Sequence, residues 1–244
     1  MSLVLVRHLV MRLIRRKRFL GMSALASTAG LISWISGSGM SGPEATANYQ
    51  VVMATVSAAT LSIAVLFMST AVMRDERDDG TLPFIFISPM SGGRFAVSSW
   101  VAGAAASALV ATIGWLVGLI GLLAIGGEMS SAWAVLVLYL SAALAYSALF
   151  VPLGYLFSRS LLIGLGYVFV WEAILASAVS GLTASSVWRI AMSIWADIDQ
   201  LPRDALDVLG SVEPGRWGGL ATVAVLIVLG IAALAWAVRR RDAV

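Results

Sequence analysis

Six long apolar stretches constrain the fold of this chain more than any other feature. They lie near residues 19–40, 50–73, 96–125, 132–157, 161–182 and 217–238. A helix needs about 20 mostly apolar residues to cross roughly 30 Å of hydrocarbon, and each stretch reaches that length. Apolar residues make up 60% of the 244 residues and charged residues 12%, against roughly 45–50% and roughly 25% in soluble domains. The sequence therefore predicts an all-α membrane protein with six transmembrane helices.

The basic residues are distributed unevenly between the two sides of such a bundle. If both termini are cytoplasmic, the cytoplasmic segments hold 13 of the 16 Lys and Arg residues, six of them in residues 1–18. Only Arg189, Arg203 and Arg216 then lie on the outer side. Cytoplasmic loops of membrane proteins are enriched in Lys and Arg. We therefore predict a multi-pass protein of the cytoplasmic membrane with both termini in the cytosol.

The first residues separate apolar from basic side chains around a helix. One face carries Leu3, Val6, Val10 and Leu13, and another carries His8, Arg12, Arg15 and Arg16. An amphipathic helix of this kind lies on a membrane surface. We therefore divide the chain into an interfacial helix at 1–18 and a single membrane domain at 19–244. A plain positively charged anchor is the alternative interpretation of the same residues.

A charged island separates the second and third apolar stretches at residues 74–95. Four acids and two arginines open it, Gly80 and Thr81 follow, and a short apolar run then leads to Ser88 and Pro89. Gly80 is suited to the left-handed conformation that ends a helix, and Pro89 disfavours helix at the residue before it. The distribution of basic residues predicts that this island is cytosolic.

A single carboxylate, Glu172, lies within the fifth apolar stretch. At the centre of a span an unpaired carboxylate costs about 2.5–3.5 kcal/mol. We therefore expect Glu172 to face a polar partner, a cavity or the protein interior. A structural hydrogen bond and direct handling of substrate or protons are both open roles.

The segment 183–215, between the fifth and sixth stretches, mixes apolar and polar residues. Trp188, Met192 and Trp195 share one helical face there. A tryptophan-bearing amphipathic helix is typical of the membrane interface. A solvated loop with incidental tryptophans is the alternative.

Small residues recur at four-residue spacing in the third stretch. They are Gly103, Ser107 and Ala111, followed by Gly114 and Gly118. Small residues allow two membrane helices to approach closely. The pattern predicts tight helix packing and does not identify the partner helix.

The order of these features resembles that of ABC-2 type transporter permeases. The charged cluster, Gly80-Thr81, an apolar turn and Ser88-Pro89 are similar to the cytoplasmic loop after the family's second span. Residues 166–172 resemble a Tyr-x-x-x-Trp-Glu pattern of one branch of the family. The resemblance implies an N-terminal connector helix, a cytoplasmic coupling helix between spans 2 and 3, and short external helices between spans 5 and 6.

The same resemblance implies roles and partners. The coupling loop would dock on a separate ATPase through Asp75, Glu76, Arg77, Gly80, Thr81, Ser88 and Pro89. Trp188, Met192 and Trp195 would belong to the external cap of the exit pathway. The implied partners are ABC ATPase subunits, a second copy of the permease or a relative, and the lipid bilayer. ATP and Mg²⁺ would bind in the ATPase subunit, with no cofactor in this chain, and the complex would be an exporter.

Motifs for catalysis are missing from the sequence. The only lysine, Lys17, is not part of a glycine-rich phosphate loop, and there is no G-x-S-x-G motif. One histidine, His8, and no cysteine exclude zinc sites built from several such ligands. Arginines flanking membrane spans are expected, so they do not indicate nucleic-acid binding. We therefore expect no catalytic or metal-binding residues and no enzyme activity in this chain.

Two functions of other classes are alternatives to an ABC permease. An ion-coupled secondary transporter would use Glu172 for coupling and need no ATPase. Inverted repeats are the signature of many such transporters, and the sequence has no evident repeat. A non-transporting membrane scaffold would use the charged island only for docking.

Overall fold

The described part of the chain consists of helices and the turns between them. The computed structural model describes residues 2–81, 91–175, 185–199 and 215–241. No strand occurs within these ranges. Their helices, in chain order, are α1 (Leu3–Arg15), α2 (Lys17–Ser36), α3 (Pro43–Asp78), α4 (Gly92–Ala124), α5 (Met129–Leu156), α6 (Ser160–Gly166), a π-helical segment (Tyr167–Leu175), α7 (Val187–Asp199) and α8 (Gly215–Arg241).

Five of these helices, α2, α3, α4, α5 and α8, are long and apolar enough to cross a membrane. They correspond to the first four predicted spans and the sixth. The predicted fifth span, 161–182, begins as α6 and continues as the π-helical segment to Leu175. Residues 176–184 lie outside the described residues. The structure thus gives an all-α, multi-pass architecture, and the count of six spans stays a prediction.

Helix α3 is longer than a membrane is thick. Its 36 residues extend about 54 Å at 1.5 Å per residue, whereas the hydrocarbon core is about 30 Å thick. Within the predicted cytoplasmic segment 74–95, α3 continues to Asp78 and α4 begins at Gly92. The charged residues that open the island form the last turns of a membrane helix.

The centre of the bundle is formed by α3, α4 and α5. Three buried serines join them: the Ser69 hydroxyl lies 3.0 Å from the hydroxyls of both Ser107 and Ser147. Hydroxyl groups hydrogen-bond between helices in this way where water is excluded. Helix α5 is the most enclosed span and α8 the least, with 72% and 28% of an 18-residue apolar stretch buried.

Helix α1 lies along the side of the bundle. Leu9 and Leu13 are buried, and the Ser2 backbone N–H donates to the Ser98 hydroxyl of α4 at 2.9 Å. On the predicted apolar face, Leu13 is buried and Leu3 is 72% exposed, and the interfacial position of α1 stays a prediction. The backbone turns at Arg16, which has extended φ and ψ angles, and α2 begins at the next residue.

Helices α2 and α4 make backbone contact through glycines. A β-carbon at Gly30 would lie 2.5 Å from the Gly118 nitrogen, and one at Gly114 would lie 2.6 Å from the Ala26 carbonyl oxygen. Neither backbone atom can move without displacing its helix. The close approach predicted at Gly114 and Gly118 is therefore confirmed, with α2 as the partner.

We expect Gly30→Ala to destabilise the chain by about 1–3 kcal/mol, because the added methyl group forces α2 away from α4. Gly21→Ala, in the same helix, is the matched control, since a β-carbon there meets no atom within 4 Å. Thermal unfolding in detergent measures both. Equal unfolding temperatures for the two variants would contradict the helix contact.

Candidate functional site

A network of ion pairs joins the start of the chain to the charged end of α3. We call it the clasp. It consists of three arginines at the junction of α1 and α2 and three carboxylates at the end of α3: Arg12, Arg16, Arg18, Asp75, Glu76 and Asp79.

Each arginine in the clasp has a carboxylate partner. Arg12 pairs with both Glu76 and Asp79. Arg18 holds both oxygens of Asp75, one of them at 2.7 Å, and Arg16 donates to Asp79 at 2.6 Å. Two-pronged contacts between arginine and carboxylate are among the strongest hydrogen bonds in proteins. The clasp therefore fixes the position of α1 relative to α3.

The inner part of the clasp is shielded from water and the outer part is not. The Glu76 side chain is 1% exposed and that of Arg12 is 17% exposed, whereas Asp79 is 43% exposed. The hydrogen bond from Arg16 lowers the pKa of the Asp79 carboxyl below its ordinary value. The stability that ionised Asp79 contributes to the clasp is therefore fully present above the ordinary pKa of aspartate. It is lost as the pH falls through the lowered pKa of Asp79.

A Schellman motif centred on Gly80 terminates α3, whose last helical residue is Asp78. Gly80 has φ +67°, its N–H donates to the Arg77 carbonyl at 3.0 Å, and the Thr81 N–H donates to the Glu76 carbonyl at 2.9 Å. The Thr81 hydroxyl also bonds the Glu76 carboxylate. Arg77 points the other way and donates to the Gly154 carbonyl of α5 at 3.0 Å. The end of α3 is thus attached to α1, α2 and α5.

The predicted coupling residues have different surroundings in the structure. Asp75 and Glu76 are buried and bound to arginines of the same chain, so their predicted contact with an ATPase would require the clasp to open. Asp78 is exposed and has no ion-pair partner within the described residues. Ser88 and Pro89 lie outside the described residues.

Glu172 lies in the π-helical segment and accepts three hydrogen bonds. The donors are the Tyr167 hydroxyl at 2.9 Å, the Val187 backbone N–H at 2.9 Å and the Ser186 hydroxyl. Two of them belong to the start of α7, where the Ser186 side chain also caps the N–H of Arg189. A carboxylate at the N-terminus of a helix satisfies free N–H groups and stabilises the helix dipole. Glu172 therefore anchors α7 to the π-helical segment.

The π-helical geometry explains how Tyr167 reaches Glu172. In an α-helix, residues five apart are separated by about 140° around the axis. The wider π-turn, closed by i to i+5 hydrogen bonds, stacks such residues on nearly the same face. A π-helical turn therefore brings the hydroxyl and the carboxylate together.

A pocket of about 380 Å³ adjoins Glu172. Its walls come from α3, the π-helical segment and α7, and include Thr55, Ala58, Phe169, Glu172 and Met192. Phe169 is 50% exposed. Small and aromatic side chains beside one carboxylate and one arginine, Arg189, suit an amphiphilic occupant.

The aromatic face of α7 packs inside the protein. Trp188, Met192 and Trp195 are at most 5% exposed, and the Trp188 indole donates to the Ala54 carbonyl of α3 at 3.1 Å. These three side chains therefore pack against other helices, and the position of α7 at the membrane interface stays a prediction. The same apolar pattern arises when a helix packs against other helices.

A second polar contact joins the far end of α7 to α3 and α5. The Asp199 carboxylate accepts from Gln50 at 2.8 Å, from Ser131 at 3.0 Å and from the Trp195 indole at 3.2 Å. Sequence reasoning missed this contact, for which the polarity of the residues is the only signal. Among the described residues, no group of three histidine, aspartate or glutamate side chains is arranged to hold a metal ion.

Comparison with known proteins identifies the family. A family model described as "ABC-2 family transporter protein" matches residues 12–194, well over half of the chain. The matched region begins at Arg12 of the clasp and extends through Glu172 into α7. A search of curated proteins finds no match. On the family match and the multi-pass helical architecture, the chain belongs to the ABC-2 transporter family.

Proposed function

We propose that this chain is the membrane-spanning permease subunit of an ATP-binding cassette exporter. A separate ATPase subunit would bind ATP and Mg²⁺ and dock on the loop between α3 and α4. Two permease subunits, identical or related, would frame the pathway in the cytoplasmic membrane. Both termini and the clasp would then be cytosolic.

The clasp is the observation that carries this proposal. It lies directly before the loop that resembles the family's coupling loop, and it attaches that end of α3 to α1 and α2. Arg77 attaches the same end to α5. A displacement of the loop would therefore move several helices together, because buried ion pairs and backbone hydrogen bonds resist separation. This is the mechanical property that an ATP-driven permease needs.

Glu172 supports a permease over an ion-coupled secondary transporter. Its carboxylate already accepts three hydrogen bonds from the chain. An ion-carrying carboxylate would have to exchange these partners at each cycle. We therefore assign Glu172 to anchoring α7 beside the pocket, and we assign the pocket to the pathway.

We expect Asp78→Arg to reduce recovery of the ATPase subunit when the two proteins are co-expressed, with membrane insertion unchanged. Asp78 is the exposed carboxylate at the end of α3 that is not tied into the clasp. Reversal of one rim charge typically changes binding by about tenfold or less.

Glu44→Arg, which reverses an exposed acid at the other end of the same helix, is the matched control. The ATPase is an ABC subunit that co-purifies with the original chain, and co-purification and stimulated ATP hydrolysis are the readouts. Full recovery and activity with Asp78→Arg would remove the docking assignment at the end of α3.

A further inference from the structure

We infer that the outward face of α1 is a binding surface for anionic phospholipid headgroups. The clasp uses the arginines that point toward α3, and a second set of basic side chains on α1 is left facing away from the bundle. Arg7, Arg15 and the following Lys17 are exposed and have no carboxylate partner within the described residues.

The position of α1 puts these charges at the membrane boundary. Helix α2 begins at Lys17 and is one of the candidate spans, so the preceding turns of α1 lie where the hydrocarbon ends. Basic residues immediately beside a span are at the level of the lipid phosphates. The first acid in the sequence is Glu44, so no carboxylate within α1 can neutralise them.

The exposed face combines basic and apolar side chains. Arg7 and Arg15 are eight residues apart, which is about 12 Å along the helix and about 80° around it. Met11 lies between them, and Val4 is 81% exposed. A groove of about 580 Å³ lies along this face; Val4, Arg7, His8, Met11 and Arg15 line it, and the clasp residues Arg12 and Arg16 form its border with α3.

This combination fits a lipid better than a protein or a free ion. A phosphate group between the two guanidinium groups would be held by charge-assisted hydrogen bonds. Val4 and Met11 would lie against the acyl chains, as apolar side chains of interfacial helices do. A docked protein would need acids opposite the arginines and would leave the exposed apolar residues at the membrane boundary without a lipid contact.

The test uses the full chain in neutral detergent. Native mass spectrometry measures binding from an equal mixture of phosphatidylglycerol and phosphatidylcholine. With both arginines contributing, we expect the chain to prefer phosphatidylglycerol about thirtyfold. Arg7→Gln/Arg15→Gln should abolish most of the preference, and Arg7→Lys/Arg15→Lys should retain it. Inorganic phosphate at the same concentration should not displace the lipid.

The matched control removes the same charge elsewhere. Arg94→Gln/Arg159→Gln alters two exposed arginines outside α1 that have no ion-pair partner within the described residues, and the preference should survive. Equal binding of the two lipids, equal loss in the control, or displacement by phosphate would overturn the proposal. The proposal would also be overturned if Arg7→Gln/Arg15→Gln kept the preference for phosphatidylglycerol but lost recovery of the ATPase. That result would mean that the face docks a protein. Tryptophan fluorescence checks folding, and the single variants replace the double variant if it does not fold.

Discussion

Arg12→Gln should lower the unfolding temperature of this chain by roughly 10 °C. The change leaves the Glu76 carboxylate, 1% exposed, without its guanidinium partner. Removing one member of a buried ion pair costs about 3–5 kcal/mol, which corresponds to a shift of this size for a chain of this length. Thermal unfolding in a zwitterionic detergent gives the measurement.

Two further variants separate the clasp from a general effect of charge. Arg7→Gln removes an exposed arginine from the same helix and should change stability by less than about 0.5 kcal/mol. Arg12→Gln/Glu76→Gln should be more stable than Arg12→Gln alone, because it removes the unpaired charge as well. If Arg12→Gln and Arg7→Gln unfold at the same temperature, the clasp contributes nothing.

Glu172→Leu should detach the start of α7 from the π-helical segment. The Tyr167 and Ser186 hydroxyls and the Val187 N–H all lose their acceptor, and each unsatisfied donor costs about 1–3 kcal/mol. We expect faster hydrogen exchange in the first turn of α7 together with a lower unfolding temperature. Exchange followed by mass spectrometry gives the local readout.

Glu172→Gln distinguishes anchoring from charge handling. Its amide keeps one carbonyl acceptor, so the exchange rate at α7 should lie between those of the original chain and Glu172→Leu. Transport by the assembled complex should be retained. Glu128→Leu, at an exposed acid outside a helix, is the control for an added apolar side chain. A Gln variant that folds normally and fails to transport would contradict the anchoring role.

The sequence was sufficient to predict the helical membrane architecture, because the length of an apolar stretch and the thickness of a bilayer determine a span almost directly. The cluster of arginines before α2 and the acids after residue 74 were both predicted to lie on one side. Their pairing with each other was not predicted. Charge counts identify a side of the membrane, but they do not show whether opposite charges meet within the chain or across an interface.

The predicted fifth span illustrates a different limit. An apolar run has the same composition in an α-helix and in a π-helix, so the π-helical segment around Glu172 had no signature in the hydrophobic pattern. The aromatic face of α7 was predicted correctly as a helical face, but its packing against other helices of the chain was not predicted. Periodicity shows which side chains share a face, but the membrane interface and a neighbouring helix both accept the same apolar and aromatic face.

Polar contacts at both ends of α3 constrain the number of residues between them. Gln50 is bonded to Asp199 near one end, and Glu76 is bonded to Arg12 near the other, about 39 Å away along the helix. Deleting or inserting one residue between them would turn one end by about 100° relative to the other, and the two contacts could not both survive. Evolution can therefore replace side chains along this helix far more freely than it can change their number, because even a whole added turn would separate the two ends by about 5.4 Å more.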